Sequence, residues 1–293
     1  MKLHGRKKCP SNSTSSAVNI RKLICVGVAA HKSYPMPSDA MYQPIQVGKS
    51  IRPNVDLGAQ FIADNSGDNI SGKNAYYSEL TAVYWLWKNC KVKYKGIVHY
   101  RRYFATRNIL KRLFSRNRFN RIATTADILP LFKDGSNLTG VDIILPKKRN
   151  YYIETIYSHY SHTFSGEQLD EVRKIIAHDQ PKYLRAFDSV MKSKTAHMFN
   201  MFIMRGECFD EYCAWLFPIL AKLMKDIDPT QYDAFNARYP GRISEMLLDV
   251  WILTNKKSYV ELPVTSPEPV NWWAKGTSFL MAKFIGKKYF NSF

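Results

Sequence analysis

The residues 99–103, HYRRY, put a histidine and two guanidinium groups, His99, Arg101 and Arg102, directly after the short apolar pair Ile97 and Val98. Guanidinium groups carry permanent charge and grip phosphate oxygens through paired N–H donors, so Arg101 and Arg102 are candidates to clamp a diphosphate. One of them capping a helix or pairing with a core carboxylate is the competing expectation. His31 ends another apolar run and Lys32 follows it, which sets a second histidine at a strand end. Asp64, Asn65, Asp68 and Asn69 lie in a loop that enters the segment NISGKN. Their amides and carboxylates suit a base or a ribose, and equally suit turns and caps. Glu245 follows Gly241, Arg242, Ile243 and Ser244 at the start of a helical stretch and is the candidate general base, with Asp249 one turn later as the runner-up. A solvated helix face is the alternative for both. Glu79, mid-helix among aromatics, reads equally as a pocket residue or as the partner of a basic side chain. His159 and His162 have a spacing a metal could use, but without an ordered carboxylate beside them a structural role is expected.

Positioning such groups needs a sheet whose strand ends open into polar loops. Lys22 to Ala30 is a β-rich apolar run, read as a buried first strand; the next segment, to about Gly72, is rich in Pro, Gly, Asn and Asp and reads as a long functional loop. Tyr77, Leu80, Val83, Tyr84 and Trp87 then recur at helical spacing and predict one amphipathic helix from about Asn69 to Asn89, capped by Ser71 or Asn74. Lys91 to Gly96 reads as a basic turn, Ile97 and Val98 as a short strand, and Arg107 to Arg121 as a surface loop or short helix. Val141 to Leu145 and Ala196 to Met204 read as strands. Gly166 to His178, Pro181 to Met191, Gly206 to Met224 and Ile243 to Leu253 read as helices. Alternation of strands and helices implies an α/β fold.

Composition narrows the partners. The chain has 293 residues, 45% of them hydrophobic, enough for a sizeable core, and its 43 Lys and Arg against 24 Asp and Glu call for anionic partners such as nucleotide diphosphates, an anionic membrane surface or nucleic acid. The basic residues are scattered over loops and the C-terminus, and no nucleic-acid motif is present, so a nucleic-acid module is not expected. Five scattered cysteines fit a reducing, cytoplasmic home better than a disulfide framework, and Cys208 and Cys213 read as core thiols. Residues 1–20 read as a disordered basic tail and 21–265 as the folded domain. In residues 266–293 aromatics alternate with lysines, which suits either a membrane interface on the inner face of the plasma membrane or a last packed helix.

Taken together, VAAHKSYPMP, DNSGDNISGKNAYYSELTAVYWLWKN, GIVHYRRYF, FNMFIM and GRISEMLLDVW, in this order, resemble a family of capsular and exopolysaccharide biosynthesis proteins of formerly unknown function, some of whose members are galactofuranosyltransferases. The resemblance implies a GT-A-like, Rossmann-type glycosyltransferase domain with additional C-terminal helices. It also implies a UDP-sugar donor, a lipid-linked oligosaccharide acceptor, and an inverting displacement with Glu245 as base. Carried over by position, Asp64 to Lys73 lies near the nucleotide with Asn74 beside it. Asn200 and Met201 fall on an acceptor-side strand, with Arg242 in the loop that leads to the catalytic carboxylate. His99 to Arg102 occupies the place where such enzymes keep the carboxylates that hold a divalent cation, Mn or Mg. A histidine and two arginines stand there instead, which leaves any metal ligand unknown and gives the arginines the cation's electrostatic role. A catalytically silent scaffold that binds glycan or nucleotide is the remaining alternative.

Overall fold

The computed structural model describes residues 19–133, 137 and 139–268. The basic tail and nearly all of the aromatic, lysine-rich C-terminal segment lie outside those residues.

Seven strands form the central sheet: β1 (Ile24–Ala30), β2 (Tyr42–Gln46), β3 (Ile62–Ala63), β4 (Tyr94–His99), β6 (Ile143–Pro146), β9 (Phe202–Arg205) and β10 (Tyr259–Leu262). Their spatial order is β10-β6-β9-β4-β1-β2-β3. All neighbours run parallel except β9, which is antiparallel to both β4 and β6. Two small antiparallel pairs flank the sheet: β5 (Tyr103–Phe104) with β11 (Val264–Thr265), and β7 (Arg149–Asn150) with β8 (Thr195–Ala196). The sheet is accompanied by helices α1 (Asn74–Tyr77), α2 (Leu80–Asn89), α3 (Ile109–Phe114), α4 (Thr125–Ile128), α5 (Ile156–Thr163), α6 (Gly166–Asp179), α7 (Leu184–Lys192), α8 (Gly206–Asp226) and α9 (Tyr239–Asn255), with short 3-10 turns between several of them and a short helical stretch at 19–23 before β1. This is the GT-A-like α/β arrangement, with α9 as its C-terminal helix.

The two-residue period of β1 divides the core. Ile24, Val26 and Val28 point into a cluster with Tyr103, Phe104 and Phe132, whereas Ala29 joins the larger cluster under α2, α8 and α9. Cys208 and Cys213 are core thiols, 4% and 0% exposed.

Three expectations are corrected here. The segment after His31 holds two strands, β2 and β3, that its composition hides. Val47 donates its N–H to Ala30, so by alternation the N of Pro44 faces away from β1, and β3 pairs only with Ile45 and Gln46 beyond it. A proline is tolerated in β2 because no ladder bond is asked of it. Lys95 belongs to strand β4 and not to a turn; it is buried, with its ammonium met by Asp210 Oδ1 at 2.5 Å. The single helix expected to end at Asn89 is broken at Ser78, whose φ of 51° lies in the left-handed region, so α1 and α2 are separate.

Candidate functional site

Parallel strands deliver their C-terminal ends to one edge, and β9, running the other way, brings its start to the same edge. His99 follows Val98 beside Ala29, and Ile97 pairs with Phe202, so residues 197–201 face the tight turn His99–Arg102. That turn is closed by Arg102 N–H to His99 O at 2.9 Å and by His99 N–H to Arg102 O at 3.1 Å.

The turn parts the two arginines. Arg102 points inward, its guanidinium 4.1 Å from the ring centroid of Phe199, with the carboxylates of Glu245 and Glu79 close enough to favour its charge against burial. Arg101 points outward, donating to Tyr34 Oη at 2.8 Å and pairing with Glu268 at 3.1 Å. His99 Nε2 donates to the Phe199 carbonyl at 2.5 Å, which fixes the proton on that nitrogen. Burial lowers the pKa of His99 and the Arg102 charge adds to this, partly offset by Glu79.

Helix α9 clasps the 197–201 segment along its length. Asn200 Nδ2 donates to Glu79 Oε1 at 2.7 Å and to Gly241 O at 2.8 Å, and Ser244 Oγ donates to Asn200 Oδ1 at 2.7 Å. The backbone N–H of Phe199 donates to the Glu245 carboxylate. Phe199 and Asn200 are left-handed, with φ of 84° and 46°, a conformation non-glycine residues hold only when their surroundings enforce it. Gly241, in the first turn of α9, lets that helix pack closely on the end of α1, since a Cβ there would sit 3.3 Å from Tyr77 O.

Glu245 is partly exposed, and burial, followed by the Glu79 carboxylate, raises its pKa to about 7. The Phe199 N–H, Arg102 and Arg149 act in the opposite sense and keep it from rising further. A carboxyl poised there can accept a proton near neutral pH. Around the end of β1 cations gather, with the Glu268 carboxylate paired to Arg101. The pKa of His31, set edge-on to Tyr100 at 5.3 Å, is lowered by partial desolvation and then by Arg52, Lys32, Arg101 and Arg238. These cations are placed for an anion at the sheet edge.

Other predicted residues serve the scaffold. Asp64 is fully buried and accepts from Gly48 N, Lys49 N, Ser71 Oγ and Thr81 Oγ1 at 2.5–3.0 Å, which ties the loops after β2 and β3 to α2 and leaves it no free face for a ribose. Asn69 spends its side chain on the carbonyls of Asn65 and Gly67 and on Ser71 N. Asp68 and Ser66 are held to Tyr84 and Trp85, so this loop, exposed Asn65 included, runs along α2 away from the edge. Asn74 is buried and braces the helix break, bonding Ser78 O and Arg52. Lys73 is exposed. Met201 is a core residue, 1% exposed. Arg242 lies between the rings of Phe164 and Phe235, at 4.1 and 4.2 Å, and donates to Phe235 O at 2.7 Å, with its pKa lowered by burial to about 10.

Asp249 parts company with Glu245. Its carboxylate holds His197 by the backbone N at 3.0 Å and by Nδ1 at 2.5 Å, while His197 Nε2 meets Glu261 at 3.0 Å. Asp249 also lines a cavity of about 120 Å³ with Lys148, Ser193 and Tyr259. His159 and His162 do have a carboxylate: Glu154, five residues before the first and eight before the second, meets both Nδ1 atoms at 2.8 and 2.9 Å. Among the described residues no group of three His, Cys, Asp or Glu side chains is arranged to hold a metal ion. In the His99–Arg102 turn the two guanidinium groups offer no lone pair to a divalent cation, which leaves His99 Nδ1 as the one side-chain nitrogen there able to act as a ligand.

Sequence reasoning left out Arg52, Arg149, Arg238 and Phe199 from this site, and gave Glu79 only even weight. No motif marks them: Arg149 lies on the two-residue strand β7, Arg238 in a short 3-10 turn before α9, Arg52 and Phe199 in loops, and Glu79 just after the kink at Ser78.

A family described as a domain of unknown function (DUF4422) matches residues 25–256, a span that holds Glu79, His99, Arg102, Asn200 and Glu245. The structure is similar to that of a bifunctional glycosyltransferase, WbbM, in its apo form, at 28% sequence identity and a TM-score of 0.70. The match covers 83% of this chain and 45% of that one, so this chain spans less than half the length of that protein. No curated protein matches it.

Proposed function

The chain belongs to the DUF4422 family, and from that premise we propose that it is a glycosyltransferase that moves a sugar from a nucleotide diphosphate to a hydroxyl of a growing glycan. The observation that carries this reading is Glu245, a carboxyl with pKa of about 7 set beside Arg102 and Arg149 at an edge that also carries His31, Lys32, Arg52, Arg101 and Arg238. The likeness to a bifunctional glycosyltransferase supports it.

In the proposed step Glu245 takes the proton of the acceptor hydroxyl as that oxygen bonds to the anomeric carbon. The bond from that carbon to the diphosphate oxygen breaks, and the diphosphate leaves with the electron pair. Arg102 and the cations around His31 offset the charge that develops on it, the role a divalent cation has in enzymes with a carboxylate pair at this place. A base separate from the leaving group implies inversion at the anomeric carbon. The donor is a UDP-sugar, with galactofuranose or another hexose as the transferred group. The acceptor is a lipid-linked surface polysaccharide at the cytoplasmic face of the plasma membrane. No helix among the described residues is long and apolar enough to cross a membrane.

The test is a thermal-shift screen with UDP, GDP, CDP and their sugars, with and without manganese, followed by Glu245→Gln. A ligand at 100 times its Kd adds about 2.7 kcal/mol to stability. UDP and its sugars should raise Tm with or without manganese, and Glu245→Gln should keep that rise while losing about 100-fold or more in turnover. No response to any nucleotide would favour the silent-scaffold reading. Unimpaired turnover in Glu245→Gln would remove the carboxyl from the mechanism.

A further inference from the structure

Helix α3, ILKRLF, contradicts the usual fate of apolar side chains. Ile109, Leu110, Leu113 and Phe114 are 58%, 69%, 59% and 75% exposed, and no residue of α3 is buried. At about 100° per residue the four share an arc of about 140°, with Lys111 and Arg112 on the remaining face. A six-residue helix has no stability of its own in water. This one is braced at its ends. Asn108 Oδ1 accepts from Lys111 N at 3.0 Å, and the Arg121 guanidinium donates to Ser115 O at 2.7 and 3.1 Å. The apolar face is therefore held in shape without being covered by any of the described residues.

Charge says what covers it. Residues 107–121 contain six Lys and Arg and no Asp or Glu. A second copy of the chain would set those cations against their own kind. The segment 269–293 brings four lysines and no acidic side chain, so it too lacks the complementary sign. We propose that α3 and its basic flanks dock on an anionic phospholipid bilayer, with Leu110, Leu113 and Phe114 entering the acyl boundary and Arg107, Lys111, Arg112 and Arg116 meeting lipid phosphates.

The surface is tied to the sheet edge. Arg118 Nη1 donates to Glu268 O at 3.0 Å, and the Glu268 carboxylate pairs with Arg101 in the turn after β4. Docking through α3 thus sets the mouth of the candidate site beside the membrane. The docking does not rest on the transferase reading, and its test needs no sugar nucleotide.

The full chain is sedimented with vesicles of phosphatidylglycerol and phosphatidylcholine, and with phosphatidylcholine alone, beside the double variant L110S and F114S. The wild type should bind the anionic vesicles, bind phosphatidylcholine weakly, and release as salt is raised. The double variant should lose about tenfold or more in vesicle affinity. Its Tm should stay unchanged, since neither side chain packs on the core. Failure of the wild type to bind anionic vesicles, or equal binding by the variant, overturns the proposal. Binding lost on removing residues 270–293 but kept by the variant overturns it in favour of the C-terminus. A concentration-dependent dimer that the variant abolishes, with vesicle binding absent, overturns it in favour of a second copy.

Discussion

In the proposed reaction Glu245 is the base, and its pKa of about 7 has two consequences of opposite sign. For turnover, the base must be ionised, so kcat should rise with pH through about 7 instead of through the ordinary carboxylate range; a kcat profile flat down to pH 5 would contradict this. For stability, a carboxyl whose folded pKa lies above its unfolded value favours the fold below the unfolded pKa, and that contribution is lost as pH climbs through 7. Glu245→Gln should therefore be more stable than wild type at pH 8 by about 1–3 kcal/mol, with the difference vanishing near pH 4. Urea melts at the two pH values check it. The sequence marked Glu245 through an expected helix start near Ile243, whereas α9 begins at Tyr239 and carries Glu245 in its second turn. It could not show that Asp249 turns away to His197, since helical periodicity gives the face of a residue and not its partner.

At the scale of elements, the break at Ser78 does the positioning that one straight helix would not. It frees Glu79 to begin α2 at the sheet edge, where Asn200 reaches it. Ser78 sits at φ 51° and ψ −124°, a region that glycine enters without strain, and its Oγ accepts from Arg238 Nε at 2.9 Å. Ser78→Gly should stay within about 1 kcal/mol of wild type, whereas Ser78→Val should cost about 1–3 kcal/mol and lower turnover by displacing Glu79. Equal stability of the valine variant in urea would show that the backbone there carries no strain. The same break explains why the fold was only partly legible. Long periodic helices such as α6, α8 and α9 stand out in the sequence, and β1 does so as an apolar run. Strands β2 and β3 are concealed by Pro44 and by their shortness, and the helix break by a serine that local propensity does not single out. The 197–201 segment reads as strand because Phe199 and Asn200 adopt left-handed backbone under contacts that come from α9, more than 40 residues later.

Over the whole molecule, a formal charge of +19 is not spread evenly in effect. Lys95 and Arg173 are matched by Asp210 and Asp188, while the cations around His31 and along residues 107–121 have few carboxylates near them, Glu268 being one. Composition predicted anionic partners without saying where; folding separates the charge into a site and a surface. The site is also assembled from distant parts of the chain. Residues 24–102 supply His31, Lys32, Arg52, Glu79, Arg101 and Arg102, whereas Arg149, Arg238, Glu245 and the clasp on Asn200 join them only when β9 pairs with β4, joining Ile97 to Phe202, and α9 docks behind them. Contacts across so long a stretch carry a loop-closure cost that slows folding. In the proposed reaction the cations and the base therefore come together only with that closure, so catalytic competence depends on the longest-range contacts of the fold. On dilution from urea, recovered turnover should follow the slowest refolding phase; activity that returned ahead of it would mean that β9 and α9 settle early.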